Sequence, residues 1–318
     1  MRMSYILRKI FVVLPMIFVI SLLCFNMIYF APGDAGKLLL ETKSGRGDRF
    51  STSDIADFSE RTGLDLDVVE AYRNWSGDLL KGDMGESVLY SEPVSSVVNR
   101  YFRNTLVMVG IAFVVYLITG ISLGFASGLR PGGFFDRLNR FWATLTLSLP
   151  SFWIATLVLF LSTKFFPGLP VLYFDGWRSF VVPGVIMGLI FAGNLAMMLR
   201  DRVLRVSEED FIDCAKAMGI SRSDVVWRHI FPNVLATMIS VSALDLSSML
   251  MGSLVLEKIF SIPGIGQLFL KAVNVKDYFL VAGCTLYFCL SVSLCNLIAE
   301  LIYPFIDRRQ LCSRNKKL

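Results

Sequence analysis

Histidine, cysteine and carboxylate side chains hold metals and activate nucleophiles, and in this sequence they are scattered. His229 is the only histidine of the chain. The six cysteines, Cys24, Cys214, Cys284, Cys289, Cys295 and Cys312, form no C-x-x-C pair, and none lies near His229 in sequence. Zinc ligands come in closely spaced Cys and His pairs, so no metal site is expected, and the cysteines read as small buried hydrophobes. A G-x-x-x-x-G-K-[ST] phosphate loop and an H-E-x-x-H pair are both missing. No catalytic residue and no bound cofactor are therefore expected, and ATP hydrolysis by this chain alone is excluded.

Two polar interruptions of otherwise apolar sequence remain. Asp245 stands near the middle of the apolar run 233–256, where an unpaired charge is costly to insert into a bilayer. Ser242, Ser248 and Gly252 fall on roughly the same helical face, giving a stripe that either lines a solute route or packs, hydrogen-bonded, against a neighbouring helix. The other interruption is longer: SEEDFIDCAKAMGISRSDVVWRHIFP, residues 207–232, is heavily charged and has apolar runs on both sides.

The elements that must position these groups are membrane helices. The chain is 54% hydrophobic and only 18% charged, more apolar than soluble domains are. Runs long enough to cross a hydrocarbon layer of ~30 Å can be marked off at 10–30, 104–128, 141–165, 180–199, 233–256 and 279–305. The first has too long a core for a signal peptide and is followed by APGD, a poor cleavage site, so it reads as a retained helix. Positive charge sets the orientation. Basic residues crowd one set of flanks, at positions 2–9, 130–140, 200–228 and 308–317, whereas the opposite flanks hold Lys164, Arg178, Lys258, Lys271 and Lys276. Both termini are expected in the cytoplasm, with residues 306–318 as a basic tail. The net charge of +5 is then a topology signal and calls for no nucleic-acid partner. Residues 31–103, rich in acids and free of cysteine, read as a small extracytoplasmic domain. The core is the five-helix portion, 104–305, carrying a cytoplasmic loop at 200–232.

Small residues mark where helices approach closely. Gly120, Gly124 and Gly128 repeat at every fourth position, as do Gly184 and Gly188, for packing within the chain or between subunits. After the fifth span, EKIFSIPGIGQLFLKAVNVKDYF is broken by Pro263, Gly264 and Gly266, yet its QLFLKAV portion is amphipathic. It reads as a re-entrant or interfacial turn of helix on the outer side, a connector or an outer gate.

Within 207–232, Ser207 with Asp210 and Ser221 with Asp224 are two capping-box spacings. Gly219 sits where a first helix ends in the left-handed region, and Pro232 is expected to break or kink the second. The pattern predicts two short helices joined at a glycine hinge. Phe211, Cys214, Ala215 and Met218 share a face of the first, and Val225, Val226, His229 and Ile230 share one of the second. Those faces either dock on a partner or rest on the protein's own helix ends.

Asp213-Cys214-Ala215, three residues, Gly219, nine residues, then His229-Ile230-Phe231-Pro232 resembles the EAA-x3-G-x9-I-x-LP loop of permease subunits in binding-protein-dependent ABC importers. Asp replaces Glu, Cys replaces the first Ala, and His and Phe replace Ile and Leu. Further stretches, including APGD after the first span, LSLPSFWIA in the third and IFSIPGIGQLFLKAVNVKDYFLV before the sixth, are similar to the peptide/nickel branch, dipeptide and oligopeptide B-type subunits above all. The resemblance implies an all-α, six-helix type I importer permease fold in a bacterial inner membrane. It implies a heterodimer with a second, homologous permease subunit, an extracytoplasmic solute-binding protein, and two ATPase subunits that use ATP and Mg and seat on Asp213, Cys214, Ala215, Gly219, Val225, His229, Phe231 and Pro232. The solutes it implies are small peptides or a metal chelate such as nickel. A self-sufficient channel, a secondary transporter, or a receptor that senses without moving solute are the alternatives.

Overall fold

The structure, a computed structural model, describes residues 2–30, 67–165, 168 and 173–306. Helix follows helix: α1 (Arg2–Tyr29), α2 (Val68–Leu80), α3 (Val94–Leu129), α4 (Phe134–Ser148), α5 (Ser151–Phe165), α6 (Val181–Ser207), α7 (Asp210–Ala217), a composite α8 (Arg222–Ile259), α9 (Ile265–Asn274) and α10 (Tyr278–Ile306). Among the described residues there is no strand, only an isolated bridge between Glu86 and Pro93, so the all-α expectation holds. Four helices, α3, α6 with its preceding turn, α8 and α10, are long and apolar enough to cross a membrane. A fifth crossing is available if α4 and α5 act together.

The chain divides into two compact units. In the first, which ends at Thr105 and resumes over Pro263–Ser293, Cys24 and Ile28 of α1 pack on Ala282 and Leu286 of α10. The amphipathic α2 leans on α1 through Phe25, whose ring meets Tyr72 and Trp75, and through a 2.8 Å hydrogen bond between Ser21 and Tyr72. Val94, Val97 and Val98 at the start of α3 share a core with Ile265, Leu268 and Ala272 of α9 and Leu280 of α10. The long helix thus begins at Val94, ten residues before the apolar run from 104 suggests. Most of the 31–103 segment lies outside the described residues.

In the second unit, Leu106–Ile262 with the end of α10, the glycine repeats fix how helices cross. A Cβ at Gly120 would strike Leu195, at Gly124 Leu199 and Ala196, and at Gly128 Val203. From the other side, Gly184 meets Ile111 and Met108, and Gly188 meets Ala112 and Val115. Both repeats therefore serve one intrachain interface, α3 on α6, and residue numbers rise together along it. The two helices run parallel, so the chain between them must return. It does so by way of α4, which runs antiparallel to α6: Asn139 bonds the Ala196 carbonyl and Trp142 the Leu189 carbonyl.

The straight third span read over 141–165 is not what the structure has. The helix starts earlier, at Phe134, and breaks between Ser148 and Ser151, where α4 and α5 meet at a bend of 104°. Pro150 explains the break, because its ring pushes the preceding residue out of the helical region, and Leu149 is extended at φ −96°, ψ 135°. Gly120-Ile121-Ser122-Leu123-Gly124 carries the letters of a G-x-S-x-G nucleophile elbow. It lies inside α3, whereas the elbow needs a strand-to-helix turn.

Candidate functional site

The loop at 207–232 has a different local build from the one its spacing suggests. Ser207 does not cap α7: it is the last residue of α6, with its hydroxyl bonded back to the Val203 carbonyl at 2.7 Å. Glu209 occupies the cap position with no side-chain bond. The turn after α7 does follow the spacing. Gly219 has φ +80°, its amide donates to the Lys216 carbonyl at 3.0 Å, and the Ile220 amide donates to the Ala215 carbonyl at 3.2 Å. That pair of bonds is a Schellman closure, which needs a left-handed residue. Ser221 then caps the next helix, accepting from the Asp224 amide at 3.1 Å and donating to its Oδ2 at 2.7 Å.

Pro232 does not end that helix. Residues Val225–Ile230 form a π segment and Phe231–Ile259 continue as α-helix, so α8 is one rod from Arg222 to Ile259. Proline lacks the amide an interior helical residue would donate, and the widened π turn immediately before it absorbs the lost register. At ~1.5 Å per residue, Val225 and Asp245 stand about 30 Å apart along α8.

The faces of the loop divide cleanly. Ile212 and Ala215 of α7, with Val225 and Ile230 of α8, are buried in the core of the second unit. Asp213 pairs with Lys216 at the surface, and His229 and Phe231 are half-buried. Phe211, Cys214, Met218 and Trp227 are exposed, Met218 by 73% and Trp227 by 64%. Of the face read for α7, only Ala215 packs inward. The face read for α8 rests on the protein itself.

Asp245 is buried at the centre of three helices. Tyr116 of α3 donates to its Oδ2 at 2.8 Å, and the Asn194 amide of α6 reaches Oδ1 at 3.1 Å and Oδ2 at 3.2 Å. Tyr116 also lies 3.5 Å from Ser242. Ser242 is buried beside this node, whereas Ser248 is exposed and bonds only its own helix at the Leu244 carbonyl. The stripe thus splits, and its buried part is a hydrogen-bonded brace. Pro263, Gly264 and Gly266 sit where α9 begins: the Pro263 carbonyl accepts from Asn104 at 2.8 Å, and Thr105 accepts the Ile265 amide at 2.9 Å.

A second buried carboxylate escaped the sequence reading. Asp136 is fully enclosed and receives Arg140, Arg200 (Nε at 2.5 Å) and the Gly132 amide at 2.7 Å. It ties the first turn of α4 to Arg200 of α6, about two turns before that helix ends at Ser207. The signal was available: Asp136 is the only acid between positions 104 and 174, set four residues before an arginine. Among the described residues, no three His, Cys, Asp or Glu side chains gather as metal ligands would.

Apolar helices locked by glycine contacts, with a polar brace between them, define an all-helical, multi-pass membrane protein. Residues 120–311 match the family described as binding-protein-dependent transport system inner membrane component, and the chain belongs to it. It is 29% identical, over 96% of its length and 98% of the relative's, to the oligopeptide transport system permease protein AppB of Bacillus subtilis. It is 26% identical, over 96% and 98%, to the glutathione transport system permease protein GsiC of Salmonella typhimurium. Its fold resembles a chain from inward-facing structures of the MetNI methionine ABC transporter, with a TM-score of 0.55 at 17% identity, covering 68% of this chain and 99% of that one.

Proposed function

We propose that this chain is a translocation subunit of an ATP-driven importer, taking up small peptides or a metal chelate such as nickel, and that residues 207–232 are where ATP-driven motion enters it. The observation that carries the reading is the loop: a glycine-closed turn between α7 and α8 is anchored by Ile212, Ala215, Val225 and Ile230. It presents Phe211, Met218 and Trp227 outward, in a chain whose family works with binding proteins. Relatives named for oligopeptide and glutathione transport favour a peptide.

Two ATPase subunits sit on this loop, a second permease subunit completes the pathway, and a solute-binding protein delivers from outside. The chain crosses six times with both termini inside; the parallel run of α3 and α6 supports a single return crossing by α4 and α5 between them, and α1 supplies the first. Closure of the ATPases pushes α8 along its axis, and the Asp245 brace makes α3 and α6 follow as a body. Uptake of a labelled peptide into proteoliposomes tests the reading. It is expected only with the ATPase subunits, the binding protein and ATP together, and uptake without the ATPase would establish the channel or secondary transporter instead.

A further inference from the structure

Helix α4 is built inside out. Its inward face carries Asp136, Asn139, Ala143 and Thr146, all buried. Its outward face carries Phe134 (69% exposed), Leu138 and Phe141 (64% exposed), spaced at i, i+4 and i+7, with Phe135 exposed beside them. A helix in water is arranged the other way round. Aromatic rings facing out from the first turns of a helix whose polar face is buried belong in hydrocarbon or at its boundary.

Arg137 lies on this same outward face, and Arg130 stands just before it; both are exposed. Neither makes an ion pair among the described residues. The two acids of this corner are already engaged, Asp136 by Arg140 and Arg200, and Asp201 by Arg200. Two uncommitted guanidinium groups beside exposed phenylalanines at a membrane boundary match one partner in both charge and polarity. That partner has a phosphate at the rim and acyl chains alongside the rings. Guanidinium binds phosphate oxygens through paired N–H donors.

The geometry points to Arg130, Arg137 and the Phe134–Leu138–Phe141 face of α4 as a binding surface for an anionic phospholipid of the cytoplasmic leaflet. The inference rests on the membrane-spanning orientation given above and is independent of coupling to ATP. Its position matters for transport, because the inward face of the same helix grips Arg200 through Asp136, about two turns before the 207–232 loop.

The test is lipid retention by the full-length chain purified with its co-expressed subunits in mild detergent. Phosphatidylglycerol and phosphatidylcholine are offered as competing lipids, and bound lipid is counted by native mass spectrometry. At roughly fivefold preference per arginine, the unmodified protein is expected to retain phosphatidylglycerol about 25-fold over phosphatidylcholine. Arg130→Gln with Arg137→Gln should abolish that preference, and Arg130→Lys with Arg137→Lys should keep most of it. A photo-reactive residue in place of Leu138 should label lipid. Equal retention of the two lipids by the unmodified protein, an unchanged preference in the Gln variant, or label transferred from position 138 to a second permease subunit would each overturn the proposal. Retention is read without any uptake measurement, so its failure is distinct from failure of the transport reading.

Discussion

Taking partners away from the Asp245 node one at a time separates a brace from a solute contact. Tyr116→Phe deletes one interhelical hydrogen bond, at 2.8 Å, and adds no volume. Such bonds in a membrane interior average ~0.6 kcal/mol and reach about 1.7 kcal/mol, so a loss in that range is expected. Asp245→Leu is more severe. It strands the Tyr116 hydroxyl, left with Ser242 at 3.5 Å, and removes both acceptors from the Asn194 amide. At about 1–3 kcal/mol for each stranded donor, the loss is about 2–6 kcal/mol, enough to impair assembly. Asp245→Asn keeps the shape but offers an amide to two donors, and it should fall between them. Reversible denaturation in detergent, run as a double-mutant cycle on Tyr116→Phe and Asp245→Leu, which leaves the hydroxyl no acceptor at position 245, should give a coupling energy of at least about 0.6 kcal/mol. A coupling indistinguishable from zero would refute the brace. Loss of uptake by Asp245→Asn at unchanged stability would show that the carboxylate meets the solute.

Gly219 has φ +80° and open space where a Cβ would go, so the cost of substitution there is backbone strain alone: Gly219→Asn should be tolerated, and Gly219→Val should lose about 1–2 kcal/mol locally and weaken ATPase co-purification. Gly188→Ala should lower thermal stability sharply, because its new methyl meets the Ala112 carbonyl of α3, whereas Gly77→Ala, mid-helix with nothing nearby, should gain about 0.5–1 kcal/mol. In a background lacking the native cysteines, Leu80→Cys, at a side chain 90% exposed, should react with an impermeant thiol reagent from outside the cell, and Met218→Cys only from inside; the reverse pattern would invert the proposed topology.

Much of the fold was legible because membrane helices announce themselves by length and apolarity, and glycine repeats by spacing. The Gly219 turn and the Ser221 cap were legible for a related reason: each depends on one residue type at one offset. What misled was competition between local signals and their surroundings. Ser207 and Asp210 have capping-box spacing, yet the hydroxyl of Ser207 stays in α6, bonded to Val203. Pro232 is a helix breaker by itself, yet the π segment before it lets α8 continue. The reach of the chain back to Asp136 from Arg200, 64 positions away, could not be read locally, and the arginines around it register in sequence only as a topology signal. The route across a lipid bilayer also hid the break at Pro150, since composition alone cannot tell a straight span from a bent pair.

Met218 and Trp227 test most directly whether residues 207–232 receive motion from an ATPase, being exposed and outside the core that anchors the loop. Met218→Asp with Trp227→Asp places two charges on that surface without touching Ile212, Ala215, Val225 or Ile230. Co-purification of the ATPase subunits, measured alongside ATP-dependent peptide uptake in proteoliposomes, should fall at least tenfold for this variant, as about 1.4 kcal/mol of lost docking energy would produce, while the chain remains inserted in the membrane. Full ATPase retention with undiminished uptake would contradict the account.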